Sequence, residues 1–240
     1  MKTPEPPAPV FDPQRIRAIT LDLDDTLWPI WPTIARAEGV LQQWLEANAP
    51  ATAALGRDKD TLRAVRNQMQ TLRPDLAHDM SGLRRESIRV LLQRAGDDPA
   101  LAEPAFDAFF DERQRVDLFA DALPALEFLA SRFPLVALSN GNADVNRVGL
   151  GTHFSASISA FKFGVAKPDV RIFHAGAAAV GVTAGEVLHI GDDAHLDGVG
   201  ALNAGMQLAW VNRADHAWDH APLQPHITVT DLLVLCRALS

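Results

Sequence analysis

Four times along the chain, an apolar run and the polar residues that end it are followed by a helical pattern. The first run, residues 16–23, ends in Asp22-Leu23-Asp24-Asp25-Thr26, and the second, 135–138, in Ser139-Asn140-Gly141. Within 164–180, Lys167-Pro168-Asp169 opens an amphipathic helix, and 187–190 ends in Gly191-Asp192-Asp193. Short apolar strands alternating with helices specify an α/β fold, a parallel sheet covered on both faces. In open sheets of this kind ligands bind at the carboxyl ends of the strands, so the four loops can converge on one site.

Each loop offers chemistry as well as a plainer alternative. Residues two apart on an extended backbone point the same way, so Asp22 and Asp24 face one site unless the chain turns between them. Like charges so close call for a cation, and the pair suits a hard ion such as Mg2+. A carboxylate beside a metal can attack phosphorus; the alternative is an acidic turn capping the next helix. Ser139 with the flexible Gly141 can close around a phosphate oxygen, or be only a turn. Pro168 suits a first helical turn and Gly181 a stop. Lys167 then stands where the helix dipole adds to its charge, unless it is a solvated surface lysine. Asp192 and Asp193, with Asp197 downstream, repeat the acidic strand end, for which helix capping is again the alternative.

The ordered set DLDDT, LSNG, KPD and IGDD with Asp197 resembles the motifs of the haloacid dehalogenase superfamily, specifically its metal-dependent phosphatases, over residues 16–230. The segments HDM, FPLVALSNGNA, GLGTHF and HIGDD are similar to bacterial FMN phosphatases, which also act on the riboflavin precursor 5-amino-6-(5-phospho-D-ribitylamino)uracil. The resemblance implies a Rossmann-like core with the Asp22 strand central and an inserted all-helical cap that sets specificity. It makes Asp22 the nucleophile of an aspartyl-phosphate route and Asp24 the acid and base. Mg2+ is expected on Asp22, the carbonyl of Asp24, and Asp192. Ser139, Asn140 and Lys167 are expected to bind the phosphoryl oxygens, with Asp197 and Asp193 orienting water or Lys167. Asp25 stands where many relatives carry Gly.

The pattern along the chain fits that division. Residues 1–14 read as a Pro-rich flexible tail without the apolar run of a signal peptide. The core is expected over 15–29 and 118–240, and the cap over 30–117. Cap helices are expected at 33–47, 59–72, 83–95 and 99–115, with Pro50, Pro74 and Gly96 as breakers. A further helix is expected at 124–132, and strands at 156–160, 208–211 and 227–229.

Composition narrows the function. With 30 acidic against 22 scattered basic residues and a net charge of -8, no nucleic-acid surface is expected. An anionic ester then needs local neutralisation by metal and Lys167. The single cysteine, Cys236, fits a reducing cytoplasm, and no stretch is long and apolar enough for a membrane. The expected partner is a small phosphorylated metabolite, bound by a monomer or homodimer.

Other residues carry two readings. Trp28, Trp31 and Trp44 can stack on a substrate ring or pack. Phe106, Phe109 and Phe110 read as cap core; His78, Asp79, Arg84 and Arg85 can reach substrate or form a solvated helix face. Nucleotidase, phosphoglycolate or sugar-phosphate phosphatase, phosphomutase, dehalogenase and a non-catalytic binding module are the alternatives. A phosphonatase would need a buried cap lysine, and Lys59, the only one there, sits in a polar run.

Overall fold

The computed structural model describes residues 9–240, except the side chain of Lys59. The expected tail therefore lies outside the described residues up to residue 8, as does the Lys59 side chain on which the phosphonatase reading turns. From Asp12 the chain is held: its amide donates to Gln207 Oε1, and Gln207 Nε2 donates to its carbonyl, both at 2.9 Å.

Six parallel strands form one sheet: β1 (Ala18–Leu21), β2 (Leu135–Ser139), β3 (Ala156–Ser159), β4 (Val187–Gly191), β5 (Gln207–Val211) and β6 (Ile227–Val229). Their order is β3-β2-β1-β4-β5-β6, with β1 central as the resemblance implied. Every residue of β1, β2, β4 and β5 is buried, which explains their largely apolar sequences.

Strand β1 is shorter than the expected 16–23. After Asp22, whose amide still donates to Ile190 O at 2.9 Å, the chain turns through Leu27 N to Leu23 O and Asp25 N to Trp28 O bonds. Asp25 has φ 58°, the left-handed region where glycine is commonest and aspartate is tolerated.

The helices are α1 (Ile30–Asn48), α2 (Pro50–Gly56), α3 (Lys59–Leu72), α4 (Met80–Ala95), α5 (Ala102–Arg113), α6 (Ala122–Ala130), α7 (Ala160–Phe163), α8 (Val170–Ala178), α9 (Gly200–Asn203) and α10 (Leu232–Ala238). Helix α2 was not anticipated. Pro50, read as a breaker, occupies its first turn, where no backbone N–H is needed. Pro168 in turn stays outside α8, whose N-cap is Asp169, accepting from Arg171 N at 3.0 Å.

The chain divides into two compact units, one of residues 1–29, 118–141 and 145–240, the other of 30–117 with 142–144. The sheet unit packs Phe173, Ile172, Leu138 and Trp210 beside the strands. Gly200 leaves room for Phe173, since a Cβ there would stand 2.4 Å from that ring. The helical unit packs Phe106, Phe109, Leu92 and Ala37, with Trp44 and Phe110 against them. Its short segment beyond the Ser139 loop is held by Gln114, which accepts from Asp144 N at 2.8 Å and donates to Asn142 O at 3.3 Å. Asn142 Nδ2 also donates to Ser81 Oγ at 3.1 Å.

One ion pair ties three loops of the sheet unit. Arg213 donates to both carboxylate oxygens of Asp121, at 3.1 and 2.8 Å, and to Thr26 O at 2.9 Å. Asp121 also accepts from Leu232 N, at the start of α10, at 2.7 Å. Burial raises the Asp121 pKa, but the Arg213 and Leu232 bonds outweigh it and leave the carboxyl below its ordinary value. A depressed folded pKa contributes stability above the unfolded value, about 4, and loses it as pH falls through the folded one. Asp121→Asn should therefore cost about 2 kcal/mol near neutrality in urea unfolding. The gap should close in acid below about pH 4; a gap unchanged there would contradict this account.

Candidate active site

At the carboxyl ends of β1 and β4 a lysine is buried between two carboxylates. Lys167 Nζ donates to Asp22 Oδ1 at 2.5 Å and to Asp197 Oδ1 at 2.6 Å, with its side chain 2% exposed. Burial disfavours its charge, but the Asp197 and Asp22 carboxylates more than compensate and raise its pKa. It is thus no solvated surface lysine. Its backbone is fixed by Asn140, whose Oδ1 accepts from Lys167 N at 2.8 Å and whose Nδ2 donates to Lys167 O at 2.9 Å. The Asn140 side chain therefore holds the lysine's backbone.

Asp197 is held from every side. Its Oδ1 also accepts from His189 Nε2 at 3.1 Å, and its Oδ2 accepts from Asp193 N at 3.1 Å. Burial raises its pKa, yet Lys167 and His189 bring it down to about 2. His189 is wholly buried, and burial lowers its pKa. A neutral ring whose Nε2 faces a carboxylate carries its proton there, so Nδ1 accepts from Thr20 Oγ1 at 2.9 Å. Thr20 and His189 are register partners on β1 and β4. Neither was anticipated, although a polar residue within each of two apolar strand sequences was a readable signal.

Asp192 completes an acidic cluster. Asp22, Asp192 and Asp197 each offer a carboxylate oxygen within 4.8 Å of the others. Thr26, also not anticipated as a site residue, sets its hydroxyl 3.3 Å from Asp22 Oδ2 and 3.0 Å from Asp192 Oδ1. Trp210 Nε1 donates to Asp192 O at 2.7 Å and anchors that loop. Burial, with the charges of Asp197 and Asp25, pushes the Asp192 carboxyl up to about 7. Burial likewise raises Asp22 well above its ordinary value; Lys167 opposes the rise, and the Asp197 and Asp192 charges add to it.

This donor set fits a divalent cation. The cluster brings three hard oxygen donors together beside one lysine, and burial and the neighbouring carboxylates raise the pKa of two of them, Asp22 and Asp192. Asp197 already accepts from Lys167, His189 and Asp193 N, whereas Asp22 accepts from Lys167 and Thr26 and Asp192 from Thr26, so Asp22 and Asp192 are the side chains less engaged and better able to ligate.

Other candidates fall elsewhere. Asp24 is outside that cluster, and its Oδ1 accepts from Trp28 Nε1 at 2.8 Å. The turn after Asp22 replaces the shared extended direction considered for the two aspartates. Asp193 is exposed and caps the following turn, accepting from His195 N at 2.8 Å and Leu196 N at 2.7 Å. Ser139 Oγ, 3% exposed at the end of β2, accepts from Gly141 N at 3.0 Å, which leaves its proton to donate. Trp28 is fully buried with no ring face open to a ligand.

In the helical unit, Asp79 caps α4 through Gly82 N at 2.8 Å. Arg84 lies over Phe109 and pairs with Glu38, while Arg85 lies over Phe106 and pairs with Glu103. These two arginines are therefore not a solvated helix face.

A family model of haloacid dehalogenase-like hydrolases matches residues 16–205. The chain is 33% identical over 229 residues to the 5-amino-6-(5-phospho-D-ribitylamino)uracil phosphatase YigB of Escherichia coli (strain K12), covering 92% of this chain and 95% of that one. It is 30% identical to the phosphoserine phosphatase of Thermus thermophilus, covering 90% of this chain and 96% of that one. Among solved structures, a 2-haloacid dehalogenase from Pseudomonas syringae pv. Tomato DC3000 superposes with a TM-score of 0.85 at 35% identity, covering 93% of this chain and 98% of that one. Through the matched motifs and its full-length relatives, the chain belongs to the haloacid dehalogenase-like hydrolase family, as a phosphatase enzyme.

Proposed function

We propose that the protein is a Mg2+-dependent phosphomonoester hydrolase that works through an aspartyl-phosphate. Its substrate is a small phosphorylated metabolite, FMN or the riboflavin precursor 5-amino-6-(5-phospho-D-ribitylamino)uracil. The observation that carries the reading is the buried Lys167 between Asp22 and Asp197, with the Asp192 carboxylate within 4.8 Å of both aspartates. The full-length likeness to the ribitylaminouracil phosphatase supports the choice of substrate.

In the first step a carboxylate oxygen of Asp22 attacks phosphorus in line, and the bond from phosphorus to the ester oxygen breaks. Asp24 gives that oxygen its proton, and the alcohol leaves. In the second step Asp24 takes a proton from water, the water oxygen attacks the phosphoryl group, and inorganic phosphate departs as Asp22 is restored. Lys167 and the Ser139 hydroxyl hold the phosphoryl oxygens, whose charge must be stabilised as phosphorus passes between them. Asp197 and His189 keep the lysine on station. Asp22, Asp192 and the carbonyl of Asp24 would hold Mg2+, which would supply charge neutralisation. The helical unit acts as the specificity cap, and the protein works in the cytoplasm.

Dehalogenation is the second reading, favoured by the structural likeness at 35% identity. It accounts less well for Asp192 and Asp24, because a dehalogenase of this family needs neither the metal nor the second carboxylate.

Two experiments test the proposal. Asp22→Asn should leave the circular dichroism spectrum unchanged and reduce turnover to below a few per cent; a faster variant would exclude the aspartyl-phosphate route. Phosphate release should be measured from FMN, the ribitylaminouracil phosphate, phosphoserine, a nucleoside monophosphate, phosphoglycolate and a sugar phosphate, with chloride release from 2-chloropropionate alongside. Release led by a flavin-pathway ester, lost in EDTA and restored by Mg2+, is expected. Another leading ester would discard the substrate, and chloride release without metal would replace the reaction.

A further inference from the structure

The helical unit contains a cavity of about 460 Å3, lined by none of the residues assigned to phosphoryl transfer. That volume lies within the range of small-molecule sites, roughly 300–1,000 Å3. Part of its wall is apolar, formed by Leu45 of α1, Leu62 of α3 and Leu91 of α4. Another part is cationic. Arg66 of α3 and Arg84 of α4 both bond to one oxygen, Oε1 of Glu38 on α1, so that two guanidinium charges share one carboxylate.

The other cations on the lining do not share this excess, because Arg57 pairs with Glu46 and Arg63 with Asp60. Nor can the Arg84 head readily turn out to water, since it lies 4.2 Å above the Phe109 ring and its side chain is 18% exposed. Burial and the neighbouring Arg66 charge lower the Arg84 pKa, in keeping with a cation short of counter-charge.

The cavity thus has two deficits. Apolar walls around a void lack contact partners, and a largely buried positive charge is half compensated. One class of ligand removes both. We propose that the cavity is a binding site for a small amphipathic anion, an apolar chain or ring bearing one carboxylate or phosphate, with the head group on Arg66 and Arg84 and the body against Leu45, Leu62 and Leu91.

The test is isothermal titration of the full chain in EDTA, so that no divalent ion recruits anions to the acidic cluster. The probes are octanoate, octyl phosphate, 1-octanol and inorganic phosphate. Saturable binding of one octanoate or octyl phosphate per chain is expected, at least about tenfold tighter than octanol or inorganic phosphate, a ratio of about 1.4 kcal/mol. The tighter of the two acids identifies the head group. Arg66→Gln should weaken the preferred acid at least fivefold and leave octanol unchanged. Leu91→Trp should abolish binding by filling the cavity; Leu62→Trp, at a half-buried position, makes the same test if Leu91→Trp fails to fold. Octanol binding as tightly as the acids, unsaturable binding, or full affinity in the filled variant would overturn the proposal. No turnover is read, so the result is independent of the phosphatase substrate.

Discussion

A charged lysine is held in the interior at the end of the sheet, and the surrounding architecture follows from the need to keep it there. Lys167 remains a cation because Asp22 and Asp197 lie within hydrogen-bond reach and their attraction exceeds the cost of burial. Asp197 remains an anion because Lys167, His189 and a backbone amide converge on it, and His189 is held in one tautomer by Thr20. The chain of contacts runs from the interior of two adjacent strands to the nucleophile candidate. A side chain that never meets solvent, His189, thereby contributes to where the Asp22 and Asp197 carboxylates stand.

Backbone geometry does the remaining placement. Gly191 lets Asp197 approach the end of β4, because a Cβ there would sit 2.3 Å from the Asp197 carboxyl carbon. The Asn140 side chain clamps the Lys167 peptide from the neighbouring loop, and Arg213 holds the turn after Asp22 through the Thr26 carbonyl. Each contact is short-range and directional, so the side chains of the cluster are prearranged.

The alternation of apolar runs with polar ends made the parallel sheet legible, because a strand buried on both faces must be apolar throughout and the polar residues collect where it stops. That logic located Asp22, Ser139 and Asp192. It passed over Thr20 and His189, polar residues inside two apolar strand sequences whose bond to each other across the sheet only the structure shows. It also missed α2, since Pro50 starts a helix as readily as it ends one. Arg84 and Arg85 read as substrate contacts or a solvated helix face because their aromatic and acidic partners come from other helices, α5 and, for Arg84, also α1; only tertiary contact reveals such pairs.

The helical unit is joined to the rest of the chain in more places than an insertion between two strands requires. Besides the junctions after Pro29 and before Leu118, it includes Asn142–Asp144, which begins one residue after Gly141 of the sheet unit. Gln114, itself buried, would lose its bonds to Asn142 and Asp144 if the unit were excised at the first two junctions alone. Transplanting this unit onto a related sheet therefore means moving two pieces of chain together, and the second is continuous with the loop that carries Ser139.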